Sequence, residues 1–193
     1  MKITVVENND ITREDNQLGW YLISDSAWTN AGKPFFYPEN TEIVTVYLAP
    51  VIRINRLGKY IAEKFAGRYY SEFAAGLHFT LPQVYETLVS KGLSTDAAHS
   101  FDRSLIVSPF FPLPENLNDI LMSLEINDQP KAHWNPTTMK FSLDKVISEV
   151  SKTNTVKMGD FIIPTLVGAY EIKIGDLLKV SFPSGFSLSV KVK

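Results

Sequence analysis

Two stretches of the sequence place an aspartate directly after a glycine and before apolar residues. The first is "TVKMGDFIIP" at 155–164 and the second is "IKIGDLLKV" at 172–180. A pair of carboxylates could bind a hard cation. A Gly-Asp pair is also a common turn, because glycine accepts a positive φ and the carboxylate accepts backbone hydrogen bonds. Since nothing in the spacing brings Asp160 and Asp176 together, we interpret both stretches as one kind of turn used twice.

The three histidines are the other residues suited to proton transfer near neutral pH. His99 stands in "HSFD" with Asp102 and is a candidate general base, although a position on the surface without a catalytic role is favoured. His78 lies inside an apolar run and is predicted to be a hydrogen-bonded histidine of a sheet. His133 stands beside Trp134, where packing in a loop or an interface is favoured over stacking on a ligand.

The acidic run "ENNDITRED" at 7–15 could also bind a cation, but runs of this kind are more typical of solvated turns. The overall net charge of −2 and the pI of about 5.9 argue against a nucleic-acid partner, which requires clustered Lys and Arg. The sequence has no cysteine, which excludes disulfides, thiolate metal sites and a cysteine nucleophile. We expect a cytoplasmic protein with no membrane partner, because the apolar runs are too short to span a bilayer.

The elements that must position these residues are mostly short strands. The runs are rich in Val, Ile, Phe and Tyr and are bounded by Gly, Pro, Asn or Asp. They lie at 2–6, 19–23, 42–54, 69–81, 104–108, 119–127, 139–142, 160–164, 177–182 and 186–192. Apolar and polar residues alternate in the runs 121–127 and 187–192, which predicts a sheet with one solvated face.

Helical patterns are fewer. In 143–150 the apolar residues recur at helical spacing, and Ser142 is placed to cap that helix with Asp144 in its first turn. The segments 57–67 and 82–92 are further candidates, each closed by a glycine. The 193 residues are enough for one domain with a sizeable core. We therefore predict a single α+β domain, mostly β, over residues 1–193.

The order of these segments resembles the fumarylacetoacetate hydrolase family, in particular its C-terminal catalytic domain. The helix "KVISEVSK" followed by the two Gly-Asp turns is similar to the family's C-terminal signature. Upstream, "LMSLEINDQPKAHWNPTTMKFS" resembles its strand, turn and second strand, and "AHSFDRSLIVSPFF" resembles its Lys-x-Phe-Asp segment. The resemblance covers roughly residues 33–182 and leaves 1–32 as a divergent segment. It implies a mixed β-sheet domain with a few short helices and, commonly, a homodimer.

The resemblance also implies a metal site that this sequence does not reproduce. Enzymes of the family hold Mg²⁺ or a similar ion with two carboxylates from a Glu-x-Glu strand and one Asp. The matching positions here are Thr45, Tyr47 and Pro82, which carry no carboxylate. Glu42 and Glu72 are near in sequence, but a shift of three residues along a strand changes both depth and face. We therefore expect no metal cofactor.

The family's catalytic Lys corresponds to His99, and Thr165 is the nearest equivalent of its Gly-Thr loop. A His–Glu pair that many members carry near the N-terminus is absent, since no histidine precedes His78. The remaining catalytic candidates are His99, Asp102 and Thr165. We further expect Tyr47 to point into the former metal position, with its hydroxyl bonded to His99 or Asp102.

Three functions remain open. The favoured hypothesis is a divergent member that has lost the metal site and catalysis but keeps a cleft for a small molecule such as a keto acid. The alternative is an active hydrolase, decarboxylase or isomerase acting on a 2-oxo or β-dicarbonyl acid with an altered site. A further alternative is a structural subunit or a partner of an active paralogue.

Overall fold

The computed structural model describes residues 1–12, 14, 16–39, 41–182 and 186–193. Strands dominate this part of the chain, as the sequence predicts. They are β1 (Ile3–Val6), β2 (Trp20–Ile23), β3 (Trp28–Asn30), β4 (Val44–Ile54), β5 (Tyr70–Thr80), β6 (Leu105–Val107), β7 (Phe111–Pro112), β8 (Met122–Ile126), β9 (Gln129–Trp134), β10 (Phe161–Ile163), β11 (Val167–Ile172), β12 (Leu177–Ser181) and β13 (Ser187–Lys191).

The helices are short. They are α1 (Glu63–Ala66), α2 (Pro82–Ser90), α3 (Asp96–His99) and α4 (Leu143–Thr153). Helix α4 confirms its prediction, because the Ser142 hydroxyl accepts a hydrogen bond from the Lys145 amide at 3.1 Å and the apolar face is buried. Helix α2 ends near Gly92, whose φ of +64° confirms the predicted glycine stop. No helix in the described ranges is long and apolar enough to cross a membrane.

Nine strands form a mixed sheet in which β1 pairs with β10 and β3 with β6 in parallel, while the other pairs are antiparallel. The order is β2-β1-β10-β4-β5-β6-β3, with β11 also beside β4 and β7 also beside β5. Strands β2 and β3 stand at opposite ends of this order, yet only residues 24–27 join them. A flat sheet would hold them about 29 Å apart, whereas this connection spans at most about 18 Å. The sheet must therefore curl until its two ends approach each other.

The curled sheet buries apolar residues on both faces. Ala49 and Val51 of β4 join a cluster with residues of β1, β5, β6 and β10 on one face. Leu48 and Ile52 belong to a larger cluster on the other face, which packs against α4 and the second sheet. Because β4 is covered on both sides, its run from 48 to 52 is continuously apolar.

The second sheet has the order β13-β12-β8-β9 and one solvated face. Burial alternates along β8 and β13, as the sequence predicts. Strands β8 and β9 form a hairpin through Asn127 and Asp128, whose φ values of +53° and +61° fit a type I′ turn.

Both Gly-Asp pairs are turns, as interpreted from the sequence. Gly159 and Gly175 have φ values of +88° and +100°. In each turn the aspartate carboxylate accepts a hydrogen bond from the backbone amide three residues earlier, at 2.9 Å for Asp160 and 2.8 Å for Asp176. The two carboxylates are thus used in turn formation.

Some element predictions are wrong. Residues 139–142 are not a strand, because Met139 closes a 3-10 turn and the segment leads directly to the cap of α4. The predicted helix over 57–67 is reduced to the single turn α1, and Gly67 has an ordinary helical φ of −58°. The sequence does not predict the short strands β3, β7, β9 and β11. Strand β3 has three residues, β7 lies in a proline-rich stretch, β9 contains several polar residues, and β11 is interrupted by Gly168.

Candidate functional site

A cleft of about 370 Å³ opens beside the curled sheet. Its polar side chains come from the N-terminal segment, from β2, β4 and β5, and from the end of α3. They are Glu7, Asp10, Thr12, Tyr21, Tyr47, Thr80 and His99. Leu166, Gly168 and Ala169 complete the lining from the connection between β10 and β11.

Strand β4 brings Thr45 and Tyr47 to the same face, because they are two residues apart. In the antiparallel pair with β5, Thr45 lies opposite Thr80 and Tyr47 opposite His78. Tyr47 is half-buried and lines the cleft. Its hydroxyl is hydrogen-bonded to the Thr80 side chain, whereas the prediction was a bond to His99 or Asp102. Burial raises the pKa of Tyr47, the Thr80 bond opposes that shift, and Glu7 adds to it.

His78 is fully buried and both of its ring nitrogens are hydrogen-bonded. Nδ1 lies 2.9 Å from the backbone oxygen of Ser104, and Nε2 lies 2.8 Å from the hydroxyl oxygen of Tyr21. A carbonyl oxygen can only accept, so Nδ1 carries the proton and Nε2 accepts from Tyr21. Burial lowers the pKa of His78 to about 4, with the Ser104 bond opposing the shift and His99 adding to it. The prediction of a hydrogen-bonded sheet histidine is confirmed.

His99 ends α3 and reaches the cleft. Its ring stacks on Tyr21 with 4.5 Å between ring centroids, and Tyr85 meets it edge-on at 5.4 Å. Its Nδ1 is buried without a hydrogen-bond partner in the part of the chain that the structure describes. Burial lowers the pKa of His99 while Asp96 opposes the shift, so the ring is mainly neutral at pH 7.

The N-terminal segment is held over the sheet by Asn9, which is fully buried. Its amide nitrogen donates to the backbone oxygens of Phe141 and Pro164, both at 3.0 Å, and its side-chain oxygen accepts from the Phe141 amide at 2.7 Å. Burial raises the pKa of Tyr21 and of Tyr47, and the Glu7 carboxylate in the same segment raises both further. Asn9 thereby fixes where the acidic residues of the cleft stand.

The connection after β10 approaches the cleft through a bulge. Gly168 has a φ of +73°, and a Cβ placed there would lie 2.2 Å from the Tyr170 ring. The Tyr170 hydroxyl donates to the backbone oxygen of Lys131 at 2.6 Å, which ties the connection to β9. Only glycine fits at position 168 while Tyr170 keeps this place.

The other predicted site residues lie elsewhere. Asp102 is exposed in the turn after α3, Thr165 is buried next to the cleft residue Leu166, and Pro82 is the first residue of α2. None of these three is among the residues that line the cleft. His133 is exposed and lines a different cavity of about 510 Å³, together with Trp134 and seven other residues. Of the acidic run at 7–15, Arg13 and Asp15 lie outside the described residues.

The positions that the resemblance assigned to a metal do not suit a hard cation. Such an ion takes oxygen ligands that include carboxylates. Thr45, Tyr47 and their cross-strand neighbour Thr80 offer neutral hydroxyls, and both nitrogens of His78 are already engaged. Across the described ranges, no three His, Cys, Asp or Glu side chains come together in a way that could hold a metal ion.

The two acidic residues considered as replacements have other partners. Glu42 is exposed and accepts a hydrogen bond from the Gln83 side chain at 3.1 Å. Glu72 pairs with Arg53, whose Nε donates to it at 2.8 Å. Neither glutamate lines the cleft.

Sequence reasoning missed Tyr21, Thr80, Glu7 and Asp10 as cleft residues. Tyr21 belongs to a short strand far from His78 in sequence, and only the curl of the sheet brings the two together. Thr80 ends a buried strand without any motif. Glu7 and Asp10 belong to a run whose composition is typical of a solvated turn. The one signal that could indicate a place in the cleft is their position shortly after β1.

Comparison with known proteins places this chain among related sequences. The family described as "Fumarylacetoacetate (FAA) hydrolase C-terminal" matches residues 9–190, which include most of the segment 1–32 that the resemblance does not cover. A relative from Mus musculus, "Oxaloacetate tautomerase FAHD1, mitochondrial", is 29% identical over 177 residues, which are 90% of this chain and 80% of the relative.

Solved structures share the fold. A fumarylpyruvate hydrolase from Pseudomonas aeruginosa, in complex with Mn²⁺ and pyruvate, superposes with a TM-score of 0.89 at 18% identity, covering 100% of this chain and 89% of the other. A 2-hydroxyhepta-2,4-diene-1,7-dioate isomerase from Mycobacterium marinum gives a TM-score of 0.86 at 20% identity, covering 99% and 73%. At these identities the likeness establishes the mixed-sheet fold and no more.

Proposed function

Because the chain belongs to the fumarylacetoacetate hydrolase family, we propose that it is a divergent member that binds a small molecule in the cleft without a divalent metal ion. In this proposal the metal-dependent catalysis of related enzymes is lost. The observation that carries the proposal is the chemistry at the former metal positions, where Thr45 and Tyr47 offer neutral hydroxyls and the neighbouring His78 has both ring nitrogens engaged. A histidine in that state offers a metal neither a charge nor a lone pair.

The size of the cleft supports binding of a small molecule. Its volume of about 370 Å³ falls within the usual range for small-molecule sites. The lining combines tyrosine rings with hydroxyl, imidazole and carboxylate groups, which can fix the orientation of a ligand by hydrogen bonds. A keto acid, the ligand class implied by the resemblance, is one of the classes to be tested.

The proposal is tested by thermal unfolding in the presence of Mg²⁺ or Mn²⁺. An ion that binds the native state must raise the melting temperature by mass action. We expect the melting temperature to be the same with either ion as with a chelator. A rise that grows with ion concentration and is reversed by the chelator would contradict the proposal.

Binding in the cleft is tested separately by NMR with a fragment library. We expect shift changes at the cleft residues, and we expect Ala169→Trp to abolish them by filling the cleft. Ala62→Trp, at an exposed position before α1, is the matched control and should leave binding unchanged. Shift changes that persist in Ala169→Trp would show that the fragments bind elsewhere.

A second candidate is metal-free keto–enol interconversion of a 2-oxo or β-dicarbonyl acid. It is favoured by His99, which is neutral, lines the cleft and has a buried Nδ1 without a partner in the described structure. A neutral imidazole could remove a proton from the carbon next to the carbonyl, and the imidazolium so formed could then donate that proton to the carbonyl oxygen. Faster decay of the oxaloacetate enol absorbance with the wild-type protein than with His99→Ala would support this candidate over the first.

The homodimer implied by the resemblance is also part of the proposal. It is supported by an apolar surface around Phe73, Phe111 and Leu121, which lines a cavity of about 340 Å³. Leu121 is exposed over 51% of its surface. Light scattering should give the mass of two chains, and Leu121→Arg should shift it toward one. A partner role beside an active paralogue and a cytoplasmic location stay predictions.

A further inference from the structure

We infer that the cleft recognises its ligand through a hydrogen bond that the ligand donates to the Tyr21 hydroxyl oxygen. The ligand class is therefore a small molecule that carries a hydroxyl or amine group. This inference rests on the proposed binding function and names the chemistry of its ligand.

The argument begins at the Ser104 carbonyl, which fixes the direction of the hydrogen bonds. Its oxygen accepts from the Phe79 amide at 2.7 Å and from His78 Nδ1 at 2.9 Å. Since a carbonyl cannot donate, the proton of the neutral His78 ring must be on Nδ1. The opposite nitrogen, Nε2, is then a pure acceptor.

The next step concerns Tyr21, whose hydroxyl oxygen lies 2.8 Å from His78 Nε2. The hydroxyl has one proton, and that proton must point at Nε2, because two acceptors would otherwise face each other. The Tyr21 oxygen keeps only lone pairs for any other partner. Tyr21 lines the cleft, so a ligand that reaches this oxygen must supply the proton.

The opposite arrangement, in which His78 Nε2 donates a hydrogen bond to the Tyr21 oxygen, is unfavourable in the buried interior. It would require the His78 proton on Nε2, leaving Nδ1 as a bare acceptor against the Ser104 oxygen inside the core. It could also be reached with both nitrogens protonated, but full burial opposes that charge and lowers the pKa of His78 to about 4. At pH 7 the Tyr21 hydroxyl therefore donates to His78 Nε2, and His78 Nδ1 donates to the Ser104 carbonyl oxygen.

Neighbouring groups add to the acceptor character of the cleft. Glu7 and Asp10 line it with carboxylates, which accept hydrogen bonds when ionised. Glu7 also helps to raise the pKa of Tyr21, for which burial is the larger cause, so the phenol stays protonated and keeps its bond to His78. Tyr47 and Thr80 share one hydrogen bond, which uses one of their two hydroxyl protons.

The first experiment tests the fixed direction itself, without any ligand. ¹⁵N NMR of the histidine rings distinguishes a protonated nitrogen from a bare one. We expect His78 of the wild-type protein to show Nδ1 protonated and Nε2 bare at pH 7. A ring with Nε2 protonated would overturn the inference, because Tyr21 would then be able to donate to the cleft.

The second experiment compares phenol with anisole, which has the same ring but no donor, and with pyruvate, which presents acceptor oxygens. Affinities are measured from NMR shifts of the cleft residues. We expect phenol to bind about tenfold more tightly than anisole, which corresponds to one hydrogen bond of about 1.4 kcal/mol. Pyruvate should bind no better than anisole.

Tyr21→Phe should remove the difference between phenol and anisole. Tyr60→Phe, at a side chain exposed over 72% of its surface, is the matched control and should preserve it. If anisole or pyruvate bound as tightly as phenol, the inference would be wrong while small-molecule binding would stand. If none of the three probes shifted the cleft residues, both the inference and the proposed function would be contradicted.

Discussion

The Tyr21 hydroxyl on β2 lies 2.8 Å from Nε2 of His78 on β5, although β1, β10 and β4 stand between these strands in the sheet. The contact is made because the sheet curls and brings its first strand over its fifth. Tyr21 thus connects two parts of the sheet that no backbone ladder joins. The same contact occupies Nε2 of the histidine that lies opposite Tyr47 across β4 and β5.

Replacing Tyr21 by Phe should destabilise the protein by about 1–3 kcal/mol, because the buried Nε2 of His78 loses its donor. Urea unfolding measures the effect. Tyr60→Phe removes an exposed hydroxyl and should change the free energy of unfolding by less than about 0.5 kcal/mol. Equal stability of Tyr21→Phe and the wild type would show that the bond contributes nothing.

Stability should fall as the pH is lowered from about 6.5 toward 4. His78 has a pKa of about 4 in the folded protein, below the usual value of 6.5, so the unfolded chain binds the proton first in this window. The full loss from this one group is on the order of 3 kcal/mol. Urea unfolding at successive pH values should show it, and His78→Asn should show a flatter profile over the same range. Parallel profiles would contradict the assignment.

Three glycines with positive φ should respond differently to alanine. At Gly159 and Gly175 a Cβ meets nothing within 4 Å, so only backbone strain of about 1 kcal/mol is expected. At Gly168 a Cβ would lie 2.2 Å from the Tyr170 ring, so the ring must also leave its place. Gly168→Ala should therefore be the most destabilising of the three in thermal unfolding. A cost no larger than at the other two positions would mean that Tyr170 moves freely.

Asn9→Ala should destabilise the protein by about 2–4 kcal/mol. The side chain satisfies the backbone groups of Phe141 and Pro164 in the interior, and its removal leaves them unpaired. We expect the cleft residues after β1 to lose protection from hydrogen exchange at the same time. Asn30→Ala, at an exposed position on β3, is the control and should have little effect on either measurement. Unchanged exchange in Asn9→Ala would show that the segment is held by other contacts.

The sequence predicts local structure well where one residue type dictates it. Ser142 predicts the start of α4, and Gly159 and Gly175 predict their turns, because the interactions that form each feature lie within a few residues of the chain. Strands such as β9 escape prediction, because Gln129 and Lys131 are polar and pairing with β8 decides their conformation. Tertiary pairing of that kind leaves no local pattern.

The candidate site is harder to predict for the same reason. His99 and Tyr47 could be selected by aligning motifs, and both reach the cleft. Tyr21 could not, since its role depends on a contact between residues 57 positions apart in the sequence. Asp102 belongs to the same matched Lys-x-Phe-Asp segment as His99, but it lies exposed in the turn after α3.

The curl of the large sheet has a consequence for association between molecules. The two strands that end the sheet, β2 and β3, have four and three residues. An open sheet edge is a template on which another chain can add a strand, and short edges limit this reaction. Residues 24–27 keep the two edges near each other, so cutting or lengthening this connection would let them separate. The expected result is slow aggregation through β2 and β3 while the interior of the protein is still folded.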